Sequence, residues 1–147
     1  MANALHLLEG RWIIRGTTFP LWLSQKRHNP TIKYEKLEND PLQFLDIVNY
    51  QNAKGQTKEI IGIDTYKQNH FIWRGRGLLR FLSSKWSVLA VTDIILVIKF
   101  ERSLVTPAGI DVLVRENSTL ADPKQLLSTS LAQYALTVNE FDRLVWL

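Results

Sequence analysis

Residues 86–100 read WSVLAVTDIILVIKF, and the rest of the chain follows from how this stretch is parsed. Trp86 to Thr92 is a run of β-forming residues, Asp93 breaks it, and Ile94 to Phe100 is a second such run. So short a connection makes the two strands antiparallel neighbours. Alternation puts Trp86 on one face of its strand, and Leu96, Ile98 and Phe100 on one face of the next. The opposite phase would bury Lys99.

The same grammar extends in both directions. Trp12 to Thr18, Thr31 to Leu37, Leu42 to Tyr50, Thr57 to Tyr66 and His70 to Arg74 precede the pair, and Ile110 to Val114 follows it. Turn signals separate them: Asn52-Ala53-Lys54-Gly55, Gln68-Asn69 and Pro107-Ala108-Gly109. Gly16 inside the first run suggests a bend or a close approach of backbone. Eight short strands at this spacing predict an antiparallel sandwich or a closed up-and-down barrel. Asp122 as N-cap and Pro123 at the first helical position predict a helix over Lys124 to Ala135. Its apolar stripe is Leu127, Leu131, Tyr134 and Ala135, and Arg143 to Trp146 reads as a short final strand.

Composition narrows the class. The 147 residues, 46% apolar and 22% charged, suit one domain spanning 1–147 with a real core. The longest apolar run, Ile94 to Ile98, is far short of the ~18 residues of a membrane-spanning helix. A net charge of +4 is too weak to announce a nucleic-acid binder, and no nucleic-acid partner is expected. The absence of cysteine excludes disulfides, thiolate metal sites and a cysteine nucleophile. Met1 to Gly10 lacks the pattern of a secretory signal, so the expectation is a soluble protein of the cytoplasm, or of the periplasm or exterior if a leader has been trimmed.

Gly10-Arg11-Trp12 at the first strand, Thr92-Asp93 between the sixth and seventh, and Arg115 at the end of the eighth occur in a characteristic order. In this the chain resembles the lipocalins, which share a G-x-W motif, a T-D-Y turn and a late arginine. Ile94 stands where that pattern has an aromatic, and the disulfide common in secreted members is absent, which leans toward a bacterial-type or intracellular relative. The resemblance implies an all-β fold: an eight-stranded antiparallel up-and-down barrel with one C-terminal α-helix and a short final strand. It also implies that Trp12 plugs the closed end with Arg115 packed across it, both as fold-holding residues.

Eight strands enclose room for filling side chains or for one small ligand. The expected inward set, Tyr34, Phe71, Trp73, Trp86, Leu96, Ile98 and Phe100, is large, apolar and aromatic. It suits a lipid, fatty acid, retinoid or pigment. In the third strand, Leu45, Ile47 and Asn49 compete for the lumen with Phe44, Val48 and Tyr50; an inward Asn49 would hydrogen-bond a ligand. Trp22, beside Leu23 after Pro20, falls in the loop that forms the lid in a lipocalin, where it contacts ligand, membrane or partner, or folds back as packing. The ligand-binding candidates are thus Trp22, Tyr34, Asn49, Phe71, Trp73, Trp86, Leu96, Ile98 and Phe100.

Arg74, Arg76, Arg80 and Lys85, interleaved with Trp73, Leu78, Leu79, Phe81 and Leu82, read as a solvated rim, with peripheral contact to a membrane surface as the functional alternative. His6, His28 and His70 show no metal-ligand spacing, and Gly75-Arg76-Gly77 lacks the context of a phosphate loop. Asp46, Asp64 and Asp111 lie in strand candidates without a spacing that pairs them. No cofactor, metal or catalytic residue is expected. The expected function is binding and carriage of a small hydrophobic or amphiphilic molecule. Two alternatives stay open: an enzyme on the same barrel, signalled by two ionisable side chains converging in the lumen, and a filled barrel serving as a protein- or membrane-interaction module, signalled by a lumen without void.

Overall fold

A computed structural model describes residues 2–24, 26–103 and 107–147. Its strands are β1 (Gly10–Thr17), β2 (Arg27–Asn39), β3 (Leu42–Asn52), β4 (Thr57–Lys67), β5 (His70–Gly75), β6 (Ser83–Val91), β7 (Ile95–Phe100), β8 (Gly109–Arg115) and β9 (Val145–Trp146). Short helices are α1 (Pro20–Leu23), α2 (Pro123–Ser128) and α3 (Val138–Arg143), with 3-10 turns at Ala2–Leu8, Gly77–Leu79 and Leu131–Tyr134. No described helix is long and apolar enough to cross a membrane.

Each of β1 to β8 pairs antiparallel with its sequence neighbour, and β8 returns to β1, which closes the barrel. The seam between β1 and β2 is short: Gly10–Ile13 pairs with Thr31–Tyr34. Beyond a bulge between Ile14 and Gly16, β9 takes over that edge of β1, opposite Gly16 and Thr17. Gly16 is both a bend and a close approach, since a Cβ there would lie 2.8 Å from the Trp146 ring.

Two cores share the middle strands. Leu96 and Ile98 of β7 and Leu113 of β8 face into the barrel, whereas Ile95, Val97, Ile110, Val112 and Val114 face out beneath the C-terminal segment. Burial on both faces explains the unbroken apolar run of β7. Lys99 points outward, where its Nζ pairs with Glu140 at 3.1 Å.

The helix expected over Lys124 to Ala135 is two short pieces rather than one, α2 and the 3-10 turn Leu131–Tyr134, and α3 follows beyond it. Asp122 caps α2 by accepting from the Gln125 amide at 3.0 Å. The Ser128 and Thr129 hydroxyls then donate to the carbonyls of Gln125 and Leu126, both at 2.7 Å, and compete with helix continuation. Ala135, expected on the apolar stripe, is exposed and left-handed at φ 55°, and ends the following turn. Leu127 and Tyr134 are buried on the barrel as expected. Thr137 and Glu140 form a reciprocal capping box that opens α3.

The closed end is built around Trp12. Its Nε1 donates to the Leu8 carbonyl at 2.8 Å, which ties the N-terminal 3-10 turn across the floor. Arg115 stacks on the ring and donates to three carbonyls. Gly10 sits at φ +122°, and a Cβ there would lie 2.6 Å from Arg115 Nη1, so this glycine is required twice over. The β6–β7 turn stays tight without an aromatic at Ile94, because Thr92 Oγ1 accepts from the amides of Ile94 and Ile95.

Candidate functional site

At the other end of the barrel the strands enclose a cavity of about 420 Å³, within the roughly 300–1,000 Å³ of small-molecule sites. Its floor is an aromatic stack. Trp86 lies between Phe71 (centroids 4.6 Å apart, 18° between planes) and Tyr34 (5.8 Å, 29°). Val48, Ile60, Trp73 and Phe100 form the wall, and Phe19 to Trp22, Leu79, Leu82 and Pro107 form the mouth. A larger groove, about 620 Å³, lies outside the barrel between α1, the start of β2 and β9.

The inward phase of Tyr34, Phe71, Trp73, Trp86, Leu96, Ile98 and Phe100 is as the alternation implied. They differ in depth. Tyr34, Trp73, Trp86 and Phe100 line the cavity, whereas Phe71, Leu96 and Ile98 pack the interior behind it. Trp22 is folded back over the mouth, buried, edge-on to Tyr50 at 5.9 Å, and lines the cavity. Asn49 is corrected. In β3 it is Phe44, Val48 and Tyr50 that join the inner core, with Asp46 in the same phase, so Asn49 stands on the outer face opposite Thr31 and Glu59.

Composition gave no warning of three acids inside the barrel. Asp46, Asp64 and Asp111 are 6%, 0% and 1% exposed. Asp46 and Asp111 line the cavity, and no lysine, arginine or histidine is among its described lining residues. Trp86 Nε1 donates to Asp64 Oδ1 at 2.9 Å. The second oxygen of Asp64 and Oδ1 of Asp46 receive no hydrogen bond from any other described group, and the two carboxyls meet each other. Burial raises both. Asp46 rises to about 6, moderated by its bond with Asp64, while Asp64 goes well above the carboxylate range because the charge of Asp46 adds to burial. The two carboxyls titrate as a pair that holds its protons more tightly than free carboxyls do.

Asp111 accepts from Thr17 Oγ1 at 2.6 Å and from the Trp22 indole, and burial lifts it to about 7 against those two bonds. Burial pushes the Tyr34 hydroxyl up as well, aided by the charges of Asp46, Asp64 and Asp111. Among the described residues, no cluster of three or more His, Asp or Glu side chains could hold a metal ion. The available signal was phase: Asp46 alternates with Phe44 and Val48, Asp111 with Leu113.

Scans of protein-family models and of curated proteins find no match to the chain. Solved structures do match. Lobster apocrustacyanin A1 superposes with a TM-score of 0.70 at 10% identity, over 99% of this chain and 79% of that one. The siderocalin Ex-FABP gives 0.65 at 12% identity, over 96% and 93%. Per a 4, a major allergen from cockroaches, gives 0.64 at 12% identity, over 92% and 83%. The closed eight-strand barrel, the Arg115–Trp12 plug and these superpositions together show that the chain has the lipocalin fold.

Proposed function

We propose that the chain binds and carries a small hydrophobic or amphiphilic molecule inside the barrel. The observation that carries this reading is the cavity of about 420 Å³, apolar and aromatic on most sides, under a mouth formed by Trp22, Leu79 and Leu82. A ligand burying ~300 Å² of apolar surface would gain on the order of 7 kcal/mol before the costs of association. Of the similar structures, the siderocalin Ex-FABP is described as working through dual ligand specificities. Titration followed by quenching of Trp22, Trp73 and Trp86, with mass spectrometry of co-purifying small molecules, tests the proposal. Saturable quenching is expected. A lack of saturation across neutral, cationic and anionic amphiphiles would remove it.

The mouth also supports peripheral contact with a membrane. Leu78 and Phe81 are 95% and 78% exposed beside Arg76 and Arg80, a mixture that suits an anionic lipid surface. The void counts against the filled-barrel alternative and Trp22 is buried, whereas the other patch expected of it, Leu78–Leu82, is exposed at Leu78 and Phe81.

One observation favours a second reading, acid–base catalysis. Asp46 and Asp64 are two ionisable groups converging in the lumen, both raised by burial. Recovery of the co-purified molecule after long incubation separates the two. Unchanged ligand supports carriage, whereas a product that disappears in Asp46→Asn supports catalysis.

A further inference from the structure

The cavity combines features that a purely apolar pocket does not need. Asp46 is almost completely buried, lines the open space, and has an oxygen that no N–H or hydroxyl of the described residues reaches, its polar neighbour being a second acid, Asp64. Asp111 lines the same space from β8, and no cationic side chain is among the described lining residues. Trp73, Trp86, Tyr34 and Phe100 line the same cavity with aromatic rings. Buried carboxyl oxygens without donors are costly, on the order of 1–3 kcal/mol or more each, and call for a partner from outside.

Resting on the carrier reading, we propose that the molecule carried is a lipophilic amine. Its ammonium would sit beside Asp46 within the aromatic wall, and its apolar body would extend past Val48 and Ile60 to Leu79 and Leu82 at the mouth. An ammonium supplies three donors and a charge, and the ring faces attract it further. A fatty acid would bring a further carboxyl to the three described in the lumen, where no described lining residue is basic. An alcohol can donate one hydrogen bond but compensates no charge. A metal ion is a poor fit, since no described cluster offers three ligating side chains.

The test uses one skeleton with three head groups. Calorimetric titration of the intact chain at pH 8 with 4-phenylbutylamine, 4-phenylbutanol and 4-phenylbutanoate compares cation, neutral and anion. The amine is expected to bind at least about tenfold tighter than the alcohol, with the butanoate weakest, the difference of one charge-assisted hydrogen bond. In Asp46→Asn the amine should fall to the level of the alcohol, whose own affinity stays within about twofold. Alcohol or butanoate binding as tightly as the amine to the wild-type chain would overturn the amine assignment and leave the carrier reading intact. Saturation by none of the three would overturn both.

Discussion

The guanidinium of Arg115 lies 3.8 Å from the centre of the Trp12 ring and donates to the carbonyls of Leu7, Glu9 and Asp93 at 2.6, 2.7 and 3.1 Å. One side chain thus ties the opening turn, the start of β1 and the β6–β7 turn into a single floor. Replacement Arg115→Ala is expected to cost about 2 kcal/mol, a fall of roughly 4–8 °C in Tm. Arg115→Lys should restore little of it, since an ammonium cannot stack flat and reach three carbonyls together. Thermal melts decide the matter; a lysine variant as stable as the wild type would show that charge alone suffices.

The buried acids set a pH dependence of stability with an unusual sign. Asp46 and Asp111, at about 6 and about 7, bind protons more tightly when folded than when unfolded. Between pH 4 and 7 the unfolded chain gives up these protons first, so stability falls as pH rises, by about 1.4 kcal/mol per pH unit for each proton involved. Asp111→Asn keeps an acceptor for Thr17 and Trp22 and removes the titration. Urea denaturation at pH 5 and pH 8 should show a smaller loss in this variant than in the wild type. Equal losses would mean that Asp111 ionises as freely folded as unfolded.

Gly62 faces the lumen from β4, and a Cβ on it would collide with the Trp73 indole nitrogen. Gly62→Ala should therefore drive the indole into the cavity and weaken ligand binding by roughly tenfold, about 1.4 kcal/mol. Titration of any ligand that saturates the wild-type chain is the check. Unaltered affinity with unaltered Trp73 fluorescence would show that the ring has somewhere else to go.

Leu78 and Phe81 at the rim give a prediction that leaves the cavity alone. The pair replaced by serine should lose most association with phosphatidylglycerol vesicles while ligand affinity stays within about twofold. Neither residue lines the lumen. Sedimentation with vesicles, with phosphatidylcholine as the uncharged control, separates the two properties. Wild-type protein that pellets equally with both lipids, or with neither, would argue against an anionic surface.

The strand order was legible because alternation is local: Leu96 and Ile98 inward and Lys99 outward follow from a period of two. Asn49 was not, since both phases of β3 are apolar, and register with β2 and β4 chose between them. The break after Ser128 depends on hydroxyls of Ser128 and Thr129 turning back on the helix, which propensity alone does not reveal. Thr137-Val138-Asn139-Glu140 did spell a capping box, and marked a helix start that the single-helix reading passed over. Asp46 and Asp64 are eighteen positions apart in sequence, and only the β3–β4 hairpin makes Asp46 the neighbour of Gly62, two residues from Asp64.

The shortness of the ladder between β1 and β2 has a mechanical result. Past Ile13 the cylinder wall is split, with Gly16 and Thr17 held by β9 while Arg27 to Pro30 lean away across an open slot. That flank can breathe without breaking any rung between its two lips. The arc from β3 to β4, laced along nine consecutive pairs, has no such freedom. A bulkier guest would be admitted by yielding on one side, against a stiff wall that carries Asp46 and Asp64.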